Sequence, residues 1–245
     1  MHAFLLIGQS NMAGRGYLSE ARELDTSHIF TLRNGRWHPM FRPINPDRHH
    51  SGVNLAESFA EQYAAKHNVD VGLICCADGG TRLEQWMPGE ILFDNAVFQA
   101  KQAMRSAEIV GILWHQGESD STPALYPTYQ SRFEKMMSAL REATGLQDVP
   151  LILGGLGDFL VHYGLPDYVH VNRALESIAQ SNEMTGFVSA QGLTSNPDNL
   201  HFNAQSLYEF GLRYLEEFEK INKRKSTSTY AQPKEDLILT EIELL

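Results

Sequence analysis

Five short apolar runs, separated by stretches of helical period, constrain this chain more than any other feature. They are "AFLLIG" (3–8), "VDVGLICCA" (69–77), "IVGILW" (109–114), "PLILGGL" (150–156) and "GFVSA" (186–190). None alternates cleanly between apolar and polar residues, so each reads as a strand buried on both faces. Between them, "NLAESFAEQYAAKH" (54–67) places Leu55, Phe59, Tyr63 and Lys66 three to four residues apart. Residues 92–107, 129–143, 168–181 and 203–221 have a similar period. Strand and helix alternating in this way means a parallel sheet covered by helices on both faces. The pattern predicts one three-layer α/β/α domain with five core strands and right-handed crossovers.

Two segments stand outside the repeat. In residues 28–52, "RNGR" separates two short apolar runs, which predicts a hairpin inserted after the first strand, with "INPDRHHSG" as loop. The tail from Lys223 opens basic and serine-rich and ends in "DLILTEIELL". The expectation is a domain over residues 1–222, then a linker leading to an edge strand or a short docking helix over the rest of 223–245. No internal repeat is visible.

The chain has 245 residues, 42% hydrophobic and 20% charged, which is enough for a full core. Its formal net charge of −10 argues against a nucleic-acid partner, since such proteins carry a basic face. No apolar stretch approaches the ~18 residues of a membrane span, and the N-terminus lacks the layout of a secretory signal. Cys75 and Cys76 are adjacent, so in an extended strand they point to opposite faces and do not pair. Two buried thiols in a reducing cytoplasm are the expectation. A homo-oligomer is compatible with all of this.

In an open parallel sheet, ligands gather beyond the carboxyl ends of the strands. Ser10 follows the first run, "DGGTRLEQW" (78–86) the second, "HQGESD" (115–120) the third, "GDF" (157–159) the fourth, and "DNLH" (198–201) comes after the fifth. Attack of a hydroxyl on a carbonyl needs a base, an orienter for that base and donors for the oxyanion. Ser10 could supply the hydroxyl, His201 the base and Asp198 the orienter. Gly79 and Gly80 allow close approach of backbone N–H groups, and Gln116 offers an amide donor. Each signal has an ordinary structural reading as well. A serine after a strand is most often a helix N-cap, "DNLH" a capped turn, "GG" a tight turn and "HQGE" a solvated loop. Trp114 reads as core, and His49 and His50 as loop surface that could touch substrate. His115 and Glu118 could pass for metal ligands, but no HExxH or cysteine-pair motif supports a metal.

Together, "GQSNMAGRG", "GGTRLEQW", "HQGESD" and "DNLH", in this order and at these strand ends, resemble the SGNH/GDSL-type hydrolases. The nearest resemblance is to the carbohydrate esterase family 6 branch, which holds acetylxylan esterases and sialate O-acetylesterase-like proteins. It spans about residues 3 to 210. The resemblance implies a flavodoxin-like sheet and a serine esterase that needs neither metal nor organic cofactor. It implies Ser10 as nucleophile, His201 as base and Asp198 as its partner, with Glu118 a second candidate acid. The Ser10 N–H, a glycine of "GGT" and the Gln116 side chain would form the oxyanion hole. The expected substrate is a small acetylated sugar or oligosaccharide, xylo-oligosaccharide or sialic-acid-like, with Arg82, Trp86 and Trp37 as candidate contacts. A broad short-chain esterase or thioesterase, a carbohydrate-binding relative without activity and an interaction protein on the same fold are the competing readings.

Overall fold

The structure, a computed structural model, describes residues 1–230. Seven strands form one sheet: β1 His2–Gly8, β2 Ile29–Arg33, β3 Arg36–Pro39, β4 Val71–Cys75, β5 Glu108–His115, β6 Leu151–Gly154 and β7 Thr185–Val188. Their order is β3-β2-β4-β1-β5-β6-β7. All pairings are parallel except β2 with β3. The five strands expected from the apolar runs are the core of this sheet. The count of five is corrected to seven because the "RNGR" hairpin does not stand apart. Its first strand, β2, pairs in parallel with β4 and extends the sheet by two strands. Asn34 and Gly35 supply the positive φ values, 51° and 72°, that a tight hairpin turn requires.

The helices are α1 Ser10–Ala13, α2 Leu55–His67, α3 Ile91–Ala103, α4 Tyr129–Thr144, α5 Leu160–Tyr163, α6 Tyr168–Ser181 and α7 Ala204–Tyr230. Contacts place α2 and α7 together on one face of the sheet and α3, α4 and α6 on the other. β1 is the central strand, and Phe4, Leu5, Leu6 and Ile7 are fully buried. Phe4 packs edge-on against Phe59 of α2 and Phe218 of α7. Burying such a ring contributes about 1.5–3 kcal/mol. On β5, neighbouring residues serve opposite layers, as the strand period demands. Trp114 packs on Phe133 of α4, and His115 on Phe210 of α7.

α2 begins with a capping box: Asn54 Oδ1 accepts the Ala56 N–H, and Glu57 Oε1 accepts the Asn54 N–H. α7 runs through Tyr230, so the linker expected from Lys223 is helical as far as that residue. The "DLILTEIELL" stretch lies outside the described residues. Among the described residues, no helix is long and apolar enough to cross a membrane. Cys75 and Cys76 are free thiols, and burial raises the pKa of both.

Candidate active site

At Gly8 the chain leaves β1 with φ 138°. A Cβ there would overlap the His115 carbonyl oxygen, so only glycine lets β1 lie this close to the end of β5. Two residues later Ser10 opens the single turn of α1. As the first residue of a helical turn, its N–H has no intrahelical acceptor. Ser10 Oγ lies 3.0 Å from His201 Nε2, and His201 Nδ1 lies 2.7 Å from Asp198 Oδ2. Asp198 Oδ1 also accepts the N–H groups of Leu200 and His201, each at 2.9 Å. Asn199, at φ 54°, lets the turn close tightly enough for one carboxylate to do both jobs. Burial alone would raise the Asp198 pKa. The two backbone N–H bonds and the imidazole outweigh it and hold the carboxyl below its ordinary value. Asp198 therefore stays charged into mildly acidic solution.

This chain of contacts opens on a cleft of about 430 Å³ whose walls include Ser10, His201, Gly79, Gly80, Ser119 and Tyr163. A second hollow of about 420 Å³, beside Tyr17 and Leu18, shares Arg15, His50 and His201 with the first. His201 thus stands between two lobes of one depression. Tyr163 is 51% exposed and Tyr17 48% exposed, which leaves an aromatic face free in each lobe. Among the described residues, no cluster of three His, Cys, Asp or Glu side chains is placed to hold a metal ion.

The two candidate oxyanion glycines differ. The Gly79 N–H already donates to Asp47 Oδ2 at 2.8 Å. The Gly80 N–H donates to no backbone or side-chain group among the described residues, and Gly80 lines the cleft. Gln116 does not reach the cleft. It is fully buried, its amide donates to the Thr81 carbonyl and to Asp120 Oδ2, and its Oε1 accepts the Tyr129 hydroxyl. One bond braces the glycine turn through Thr81 and the other is spent on Asp120, so the amide has no N–H left for the cleft.

Glu118 lines the cleft but does not touch His201. Its Oε1 accepts the Asn11 amide and lies 3.4 Å from His115 Nε2, without a hydrogen bond between carboxylate and ring. Trp86, 1% exposed, is a core residue that donates to Thr81 Oγ1 and packs on Trp114. Trp37 lies at the opposite end of the sheet, bonded to Ser106 and stacked over Gly72 at the start of β4. Arg82 is exposed, 4.0 Å from Glu84, and outside the cleft wall. The structure therefore brings none of the three expected sugar contacts to the serine.

Other residues stand there instead. Arg15 and Asp47 form a bidentate ion pair at 3.0 and 2.7 Å, with side chains 3% and 4% exposed. Asp47 also accepts Ser51 Oγ–H and holds Gly79. A Cβ at Gly79 would press on Arg15 and Asp47, so glycine is what admits the pair beside Ser10. Arg48 adds bonds to Asp78 and the Gly79 carbonyl. The polar "INPDRHHSG" insertion is thus the clamp on the glycine turn, and its densely charged "PDRHH" is the signal that could have located it.

Burial raises the Asp47 pKa, but Arg15, Ser51 and Gly79 together lower it below the ordinary 3.8. A carboxyl with a depressed folded pKa stabilises above its unfolded value, and that contribution is lost as pH falls through the folded value. Asp47→Ala leaves Arg15 buried without its partner, which is expected to cost about 3 kcal/mol near neutral pH. Chemical denaturation from pH 7 downward checks this. The gap between wild type and variant should stay constant to about pH 4 and shrink below it.

A probable carbohydrate esterase of Arabidopsis thaliana is 28% identical over 232 residues, covering 85% of this chain and 86% of its own. A solved structure of an Arabidopsis thaliana protein superposes with a TM-score of 0.80 at 26% identity, covering 89% of this chain and 98% of that one. The structure of NanS superposes at 0.73 with 16% identity, covering 91% and 98%, a likeness of fold. The family model described as carbohydrate esterase, sialic acid-specific acetylesterase matches residues 1–220. With nine-tenths of its length matched by that model, this chain belongs to the sialic acid-specific acetylesterase family of carbohydrate esterases and is a carboxylic ester hydrolase.

Proposed function

We propose that this protein removes acetyl groups from an O-acetylated sugar or short oligosaccharide through an acetyl-enzyme on Ser10. The observation that carries the reading is the continuous contact from Asp198 through His201 to the Ser10 hydroxyl at the wall of an open cleft. His201 Nε2 accepts the serine proton as Ser10 Oγ attacks the acetyl carbonyl. Asp198 holds Nδ1 protonated, so Nε2 is the free base. The oxyanion is received by the N–H groups of Ser10 and Gly80. His201 then returns the proton to the departing sugar oxygen, and water repeats the cycle on the acetyl ester.

The sugar lies in the cleft beside Tyr163, with the second lobe open to a larger substrate. Both cleft arginines are already paired, Arg15 with Asp47 and Arg48 with Asp78. A neutral sugar leaves these pairs alone, whereas a sugar acid competes with Asp78 for Arg48. In a cytoplasmic setting the substrates are imported, partly acetylated fragments.

The acyl group sits between Gly80 and the Glu118–Ser119 turn, which both line the cleft. Each methylene beyond acetyl is expected to cost ~1–3 kcal/mol of transition-state stabilisation. Rates on aryl acetate, propionate and butyrate should therefore fall steeply in that order. A flat or rising profile moves the protein to the general short-chain esterases. No release of acetate from aryl acetate or from a panel of acetylated xylo-oligosaccharides and sialic acids, with no phosphonate labelling, makes it a binding protein.

A further inference from the structure

Asn11 follows Ser10 in the same helical turn, yet it is 1% exposed and does not line the cleft. Its carboxamide reaches the loop that carries the base. Nδ2 donates to the Leu200 carbonyl at 3.2 Å, and Oδ1 accepts the Phe202 N–H at 3.1 Å. Asn11 thus grips the main chain on both sides of His201. The second Nδ2 hydrogen goes to Glu118 Oε1 at 2.5 Å. That carboxylate fixes which way the amide points. Turned over, it would set its oxygen against Glu118 and its NH₂ against the Phe202 N–H.

The Asp198 bonds to His201 are local to residues 198–201, so they set the ring relative to its own turn. They do not set that turn relative to Ser10. Packing of Phe202 on His115 and Phe159 helps to do so, and two hydrogen-bonded ties run from the serine's segment. One is Asn11. Another is the Arg15 carbonyl, which accepts the Asn196 amide at 2.9 Å. Of these two ties, Asn11 is the one next to the serine in sequence, and its bonds fall on the residues either side of the histidine.

We infer that Asn11 is the positioning residue that keeps His201 in register with Ser10, and that Glu118 serves the site by fixing the Asn11 amide. The inference rests on the Ser10–His201 reading above. It gives Glu118 a task that needs no contact with the imidazole. A displacement of reacting groups by about 1 Å costs on the order of 10²-fold in rate. Asn11→Ala is therefore expected to lower kcat on aryl acetate about 10²-fold, with KM within about twofold of wild type. In a His201→Ala background the same change should alter the residual rate less than about twofold, because there is no base left to position.

Asn11→Asp gives a second test that preserves shape. It keeps the acceptor for Phe202 but sets a carboxylate against Glu118. Its kcat should fall at least as far, and Glu118→Gln added to it should restore part of the loss, since a glutamine can donate to the new carboxylate. The measurements are steady-state kinetics, phosphonate labelling rates and melting temperatures on the full-length protein. The inference is overturned if Asn11→Ala keeps kcat within about threefold of wild type. It is also overturned if the variant loses as much in the His201→Ala background, or if Glu118→Gln worsens Asn11→Asp. Should Asn11→Ala not fold, the Asn11→Asp pair decides. Ser10→Ala, run alongside, separates the two claims. Turnover in that variant removes the nucleophile reading itself, whereas a dead Ser10→Ala with an active Asn11→Ala removes only the clamp.

Discussion

Replacing Ser10 with alanine is expected to lower acetate release by roughly 10⁶-fold, the size of effect seen when a triad nucleophile is removed. The change deletes one hydroxyl at a position that is 5% exposed. That hydroxyl's only hydrogen bond among the described residues is to His201. The fold has little stake in it, since Ser10 caps nothing: Gln9 occupies the N-cap of α1 and makes no side-chain cap bond. Melting temperature should therefore change by no more than a surface substitution would change it. Equal loss of stability and activity would mean that the serine is structural. Steady-state assays beside thermal unfolding separate the outcomes.

The second large effect belongs to Asp198. An asparagine there could keep the backbone bonds to Leu200 and His201 through its carbonyl oxygen. Its NH₂ would then face His201 Nδ1, favouring the tautomer whose proton sits on Nε2, where the base must be empty. By analogy with serine proteases the loss is on the order of 10⁴-fold. Glu118→Gln should cost less than about tenfold, because a glutamine oxygen can still accept the Asn11 amide. The pair of variants, assayed under identical conditions, discriminates between the two carboxylates. If Glu118→Gln is the worse lesion, Asp198 is chiefly the cap of its turn. The depressed Asp198 pKa adds a pH dependence with a fixed sign. The orienting charge is present above the folded pKa and is lost only as pH falls through it, below 3.8.

The core of the fold was legible because strands buried on both faces leave unbroken apolar runs, and helices between them leave a 3.6-residue period. The hairpin was legible for its Asn34–Gly35 turn, but its place was not. Nothing in a five-residue strand says that its neighbour will be β4 rather than solvent. The serine, aspartate and histidine could be read because each follows a strand end or shares one turn. Gln116 could be located but not aimed. A strand end fixes where a residue lies, while the direction of its amide is set by how the turn after β5 folds Asp120 back and by where α4 places Tyr129. Trp86 and Trp37 lie away from the serine for a similar reason, since an indole in a loop packs as readily as it binds. Asn11, Asp47 and Arg15 are visible as letters, but Arg15 and Asp47 pair across 32 residues and Asn11 reaches Phe202 across 191. Long-range polar contacts of that kind leave no periodic signature.

The central claim is that the acetyl group passes through a covalent ester on Ser10. Rapid acid quenching of the enzyme during turnover of an aryl acetate, followed by peptide mass analysis, tests it most directly. The account predicts one acetyl group per chain, on the peptide carrying Ser10, together with a burst of phenol release equal to the enzyme concentration. Acetyl on another residue, or full turnover with no acetyl on Ser10 under conditions where the ester would accumulate, would contradict it.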